Sequence, residues 1–168
     1  LNHKTLDVLS FISTLENNTE WENFVLPDFK EINELTDFIN SEIFKIKCDR
    51  YVFNVPSLYP TIESIHFQNN PELRLVLPHS GRDLVTWGQA VGNCIGSETY
   101  MKKAYNNESL LIAFSVNDVI TFTLEIVAGK IKQFEETKGF NNKKPTYKQI
   151  ICDELLKKNI IIKHWLFY

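Results

Sequence analysis

Two apolar runs, Leu110–Val116 and Val119–Val127, are separated only by Asn117-Asp118. Asn and Asp tolerate positive φ, and a two-residue linker of this kind between strand-like runs predicts a β-hairpin. Ala128-Gly129 then predicts a second tight turn into a third strand, Lys130–Glu136. Two such short turns leave room only for antiparallel neighbours. Within Thr121–Val127 the residues alternate, so Thr121, Thr123 and Glu125 fall on one face and Phe122, Leu124 and Ile126 on the other. Gln133 joins the polar face in this reading, with Asn141 nearby. That face is expected to act as a binding surface; the plainer alternative is an exposed sheet face carrying a cross-strand pair.

The elements around this meander are helical. Val8, Ile12 and Leu15 recur at helical spacing, with Leu9 beside them, over Lys4–Leu15. A second helix is expected from Pro27-Asp28, with acids early and Lys45 and Lys47 late, as the helix dipole favours. Tyr51–Val55 alternates like a short strand, and Leu73–Leu77 reads as another. Ser80 or Gly81 is placed to cap a helix bearing Leu84, Val85, Trp87 and Val91, and Ser97 a shorter one through Tyr100 and Ala104. Thr146–Lys158 predicts a final helix, and Ile160–Ile162 an edge strand. The expected class is α+β: an antiparallel sheet of three to five strands with helices packed on one side, preceded by an N-terminal helical segment. The prolines at 56, 60 and 71 suggest a division into residues 1–70, helical, and 71–168, α+β.

Composition narrows the function classes. Net charge is −3, so no global field draws the chain to nucleic acid. The distribution is uneven, however: residues 1–70 carry eleven acidic and five basic side chains, whereas residues 129–168 carry four and nine. An acidic front and a basic tail result. Cys48, Cys94 and Cys152 are odd in number and never in CxxC spacing, which points to a reducing, cytoplasmic setting rather than disulfides or a zinc knuckle. The apolar runs fall far short of the roughly 18 residues a membrane span needs. The N-terminus shows no signal peptide, and the first residue is Leu1 rather than Met, consistent with a processed product or a fragment. Neither a glycine-rich phosphate loop nor a metal-ligand cluster is visible, so neither a cofactor nor a metal is expected.

Cys94 is the sharpest candidate for chemistry. It sits in Gly92-Asn93-Cys94-Ile95-Gly96-Ser97, where flanking glycines permit close backbone approach and a following helix would lower the thiol's pKa. A cysteine nucleophile needs a base, and of His3, His66, His79 and His164 the best placed is His79. Cys94 is as readily a small space-filling hydrophobe between two elements, and His79 a loop histidine. Lys130, Lys132, Lys138, Lys143, Lys144 and Lys148, interleaved with Phe134, Phe140 and Tyr147, suit single-stranded nucleic acid, although Glu135 and Glu136 interrupt them and a solvated face explains them equally.

The ordered combination Asn-Cys-Ile-Gly-Ser, Tyr, Thr-Leu-Glu-Ile, Gly-Lys-Ile-x-Gln, Asn-Asn-x-x-Pro resembles the PcfJ-like domain. The matching residues are Cys94, Gly96, Ser97, Tyr100, Thr123, Leu124, Glu125, Gly129, Lys130, Gln133, Asn141, Asn142 and Pro145, within roughly residues 75–158. Two departures stand out: Asn93 where that family often has histidine, and Glu98-Thr99 inserted before Tyr100. The resemblance implies an association with conjugative plasmids, phages and other mobile elements. It lends weight to Glu125, Gln133 and Asn141 as binding residues.

Three functional expectations follow. The first is a non-enzymatic module of a mobile element that binds single-stranded nucleic acid or a protein partner through Asn93, Glu125, Gln133, Asn141, Asn142, Lys130, Lys143 and Lys144. The second is an enzyme with a pocket of Cys94, His79, Tyr100, Glu125 and Gln133. The third is a subunit of a larger assembly docking through its aromatic N-terminal helices and the apolar Ile160–Tyr168 tail.

Overall fold

The computed structural model describes Asp28, residues 30–140 and residues 147–163. The expected helix at Lys4–Leu15, the loop residues Asn141, Asn142, Lys143 and Lys144, and the tail from His164 onward lie outside the described residues. The chain divides between Lys47 and Cys48 into two compact units. In the first, the described part is the helix α1 (Ile32–Arg50), which begins later than Pro27-Asp28 and whose last residues belong to the second unit.

The second unit is built on a four-stranded antiparallel sheet in the order β1-β2-β3-β4: β1 (Leu73–Val76), β2 (Leu110–Val116), β3 (Val119–Val127) and β4 (Lys130–Glu136). Both predicted turns form. Asn117 and Asp118 take φ of 50° and 65°, and Ala128 and Gly129 take 49° and 73°. Two consecutive positive φ angles match the right-handed twist of the flanking strands. The class is α+β with an antiparallel sheet, as the sequence indicates.

The layering goes beyond that expectation, because helical elements cover both faces. On one face, Ile112, Phe114, Phe122, Leu124 and Phe134 pack with Ile151, Cys152 and Leu155 of the C-terminal helix α5 (Tyr147–Lys157). On the other, Leu111 and Ala113 pack with Leu84 and Trp87 of α3 (Gly81–Val91), Ile95, and Met101 of α4 (Glu98–Tyr105). Consequently all seven residues of β2 are buried. The sequence signal was the near-continuous apolar run of Leu110–Val116, which a strand with one solvated face would not carry.

Two expected strands are absent. Tyr51–Val55 contributes one isolated bridge, Val52 to Ser80, and then enters a single helical turn, α2 (Val55–Leu58). Pro56 near the start of that turn is pre-organised for a helix and lacks the N–H that a strand would use. Ile160 and Ile161 bury their side chains in the core instead of forming an edge strand. The Ile162 N–H donates to Gly129 O at 2.9 Å, tying the segment to the β3–β4 turn.

Local signals explain the helices that position the turn at Cys94. Ser80 caps α3, and Asp83 reciprocates by accepting from the Ser80 N–H, which completes a capping box. Gly92, at φ 82°, ends α3 in the left-handed conformation. Ser97 stands at the N-cap of α4 without a side-chain capping bond.

Candidate functional site

The segment Gly92–Ser97 lies against α3 at very short range. A Cβ on Gly96 would meet Val85 Cα at 2.7 Å and Leu84 O at 3.0 Å, and one on Gly88 would meet Asn93 O and Gly96 N at 3.1 Å. Only glycine admits this approach, so the glycine spacing places the turn.

Asn93 fastens the turn to the sheet. Its Oδ1 accepts from the Ile95 N–H at 3.2 Å, and its Nδ2 donates to Thr123 Oγ1 on β3 at 2.9 Å. Its amide is thus engaged inside the protein. Thr123 is 2% exposed and Glu125 4%. The polar face of β3 is therefore covered by α3, the turn and α4, and is not the open binding surface expected from the alternation. Thr121 leaves the row: a bulge pairs Ser115 with Ile120, and the Thr121 hydroxyl donates to Val119 O at 2.8 Å.

A buried carboxylate demands partners. Glu125 Oε1 accepts from Ser109 Oγ at 2.8 Å and pairs with Lys103 Nζ at 3.4 Å. Lys103 in turn stands 4.9 Å from the centroid of the Tyr100 ring. Sequence reasoning missed both Lys103 and Ser109; a Glu between two apolar residues of a central strand was the signal that they had to exist.

Gln133 reaches this side of the sheet through a bulge. β3 and β4 pair Glu125 with Gln133 and Ile126 with Ile131, leaving Lys132 as the extra residue. Without that insertion Ile131 and Gln133 would share a face. With it, Ile131 enters the core and Gln133 meets α4, where its Oε1 accepts from Tyr100 OH at 3.1 Å. Burial pushes the Tyr100 phenol above its ordinary value of 10.0; Gln133 offsets this in part, while the nearby Cys94 thiol and Glu125 carboxylate add to the rise.

Cys94 is exposed, in contrast to the buried Cys48 and Cys152. It opens on a shallow depression of about 220 Å³ lined by Val85, Gly88, Gln89, Asn93, Gly96 and Ser97. The structure thus gathers Asn93, Cys94, Tyr100, Glu125 and Gln133 where α3, α4 and the sheet meet. His79 does not join them. It lies just before the first turn of α3 and is not among the residues lining the depression on which Cys94 opens. Its N–H donates to Asp83 at 2.7 Å and its carbonyl accepts from Phe53, while its side chain is exposed. His66 lies beside the buried Ile65 and Phe67, which belong to the other face of the sheet. Lys130 and Lys132 are exposed, and neither forms an ion pair among the described residues. Among those residues no group of three or more His, Cys, Asp or Glu is arranged to hold a metal, and no helix is long and apolar enough to cross a membrane.

Comparison with known proteins places the chain in a family. No curated protein and no solved structure matches the chain. A family model described as PcfJ-like protein matches residues 5–152, reaching well before the motifs at Cys94 and Gln133 and taking in the N-terminal stretch as well. With most of its length matched in this way, the chain belongs to the PcfJ-like protein family.

Proposed function

We propose that this chain is a non-enzymatic binding module of a mobile genetic element, such as a conjugative plasmid or phage, and that it holds single-stranded nucleic acid along the rim formed by α4 and β4. The observation that carries the reading is the exposed pair Lys130 and Lys132 just before Gln133 on β4, with no acidic partner for either lysine among the described residues. Gln133 spends its carbonyl on Tyr100, which leaves its NH₂ for a base or sugar. The Lys103–Glu125 pair and the Tyr100–Gln133 hydrogen bond hold these side chains in place. A polar rim with exposed cations suits phosphate contacts.

The test is fluorescence anisotropy with a labelled single-stranded 20-mer, as DNA and as RNA, from low to physiological salt. Binding is expected to weaken with salt. Lys130→Glu with Lys132→Glu is expected to lower the log–log salt slope by about 1.4, the share of two phosphate contacts. Lys143→Glu with Lys144→Glu tests the basic sequence that follows. Absence of binding at low salt, or an unchanged slope in the Lys130/Lys132 variant, refutes the nucleic-acid reading.

The exposure of Cys94 favours a second reading, an enzyme using Cys94 with Tyr100, Glu125 and Gln133. It predicts a thiol that is alkylated at neutral pH faster than a free cysteine. A rate at or below that of free cysteine removes it.

A further inference from the structure

The outer edge of β1 carries unspent hydrogen-bonding groups beside a groove of the second unit. The Asn117 N–H donates to Glu72 O at 3.0 Å, and β1 pairs with β2 in the register Leu73 to Val116 through Val76 to Ala113. In an antiparallel ladder the groups facing the neighbour alternate along the strand. With Glu72 facing β2, Arg74 and Val76 face it as well, and Leu73 and Leu75 turn their backbone groups outward. The Leu73 N–H is used by Asn70 O at 2.9 Å. Both the N–H and the C=O of Leu75 are without a partner among the described residues. β1 ends the sheet order, so among the described residues no further strand covers this edge.

The adjoining groove has a volume of about 540 Å³ and includes Glu63, Ile65, His66, Phe67, Leu75 and Leu77 in its lining. Ile65 and Phe67, 4% and 9% exposed, supply an apolar floor on the side that Leu73 faces. Arg74 also borders the groove, and by strand alternation its side chain points to the face opposite Leu73 and Leu75. Its side chain is 69% exposed and faces only Asp118, at 3.6 Å and 83% exposed, a pairing too solvated to neutralise it.

We infer that this edge takes an extended segment of a protein partner as a fifth strand, with apolar side chains alternating with acidic ones. The occupant's form follows from the open Leu75 amide and carbonyl, which pair with a backbone at strand spacing and not with a helix. Its composition follows from the two sides of β1: apolar over Ile65 and Phe67, and negatively charged opposite Arg74. This surface is separate from the α4–β4 rim and does not depend on the nucleic-acid reading.

The probe is a fluorescein-labelled heptapeptide of alternating Val and Glu, titrated against the full chain. Saturable binding is expected. Methylating alternate backbone nitrogens of the peptide, in the register that faces β1, is expected to weaken it about tenfold, which is the loss of one to two hydrogen bonds. A Val/Lys peptide is expected to bind less well, and Arg74→Glu to reverse that preference. Leu75→Pro removes the outward N–H, at a position where an edge strand tolerates proline, together with the leucine side chain in the groove, and is expected to abolish binding. The peptide series leaves the protein untouched, so the inference stays testable if Leu75→Pro does not fold. Failure of the Val/Glu peptide to saturate, or equal binding of the methylated peptide, overturns the inference. So does a dimer in sedimentation that Leu75→Pro dissociates, since a second copy then occupies the edge.

Discussion

Gly96→Ala should be the most damaging small substitution in the turn at Cys94. The added Cβ would stand 2.7 Å from Val85 Cα, 3.0 Å from Leu84 O and 3.2 Å from Val85 N, all backbone atoms of α3. Ordinary carbon contacts begin near about 3.5 Å, so α3 and the turn must separate by most of an ångström. No side-chain rotation relieves the clash. Overpacking of this kind costs typically about 1–3 kcal/mol, and an all-backbone contact belongs in the upper half of that range. For a chain of this size, 2–3 kcal/mol corresponds to a fall in Tm of roughly 6–9 °C. Two controls isolate the cause. Gly92→Ala meets nothing within 4 Å but forces alanine to φ 82°, and should cost roughly 1–2 kcal/mol from backbone strain alone. Gly88→Ala gains up to about 1 kcal/mol of helix propensity while pressing on Asn93 O and Gly96 N at 3.1 Å, so the two effects nearly offset. Urea denaturation followed by circular dichroism ranks the three. A Gly96→Ala loss below about 0.5 kcal/mol, less than for Gly92→Ala, would falsify the close docking of the turn on α3.

Three further outcomes are expected. Under native conditions a maleimide should label Cys94 alone, with Cys48 and Cys152 reacting only on unfolding, since both are 1% exposed; mass spectrometry after proteolysis reads this, and native labelling of Cys152 counts against the core. Glu125→Ala should cost about 2–3 kcal/mol in urea denaturation, because it strips a charged acceptor from Ser109 and leaves Lys103 unpaired, whereas Glu125→Gln, which keeps an acceptor for Ser109, should cost less. Stability should hold up to about pH 9 and fall beyond it. Cys48 lies above its ordinary 9.0 through burial and Tyr100 above its ordinary 10.0, also chiefly through burial, so the folded state keeps protons that the unfolded chain releases. Tyr100→Phe should flatten the alkaline part of that curve, and an identical fall would remove Tyr100 from it.

The meander was legible because its turns are short. Asn117-Asp118 and Ala128-Gly129 fix both partner and direction, and Ser80 with Asp83 announces α3 in the same local way. What escaped depended on neighbours distant in sequence. Alternation in β3 separates a polar row from an apolar one, but nothing local says that α3 and α4 will cover the polar row. The bulge at Lys132 is equally silent, although it alone sends Gln133 to the side of Glu125. Tyr51–Val55 has a strand's alternation and was overridden by Pro56. The β-branched Ile160–Ile162 segment was overridden by open space in the core that Ile160 and Ile161 fill. Of the candidate residues, Tyr100, Glu125 and Gln133 converge because the β3–β4 register and the docking of α4 bring them together. His79 was chosen for closeness in sequence, but its backbone is spent on Asp83 and Phe53 ahead of α3 and it does not line the depression at the thiol.

Whether the thiol-bearing turn is anchored to β3 can be read from a double-mutant cycle on Asn93→Ala and Thr123→Val in urea denaturation. The Nδ2–Oγ1 bond at 2.9 Å predicts a coupling of about 0.5–1.5 kcal/mol. Additive single effects, with coupling indistinguishable from zero, would mean that the turn does not rest on the sheet.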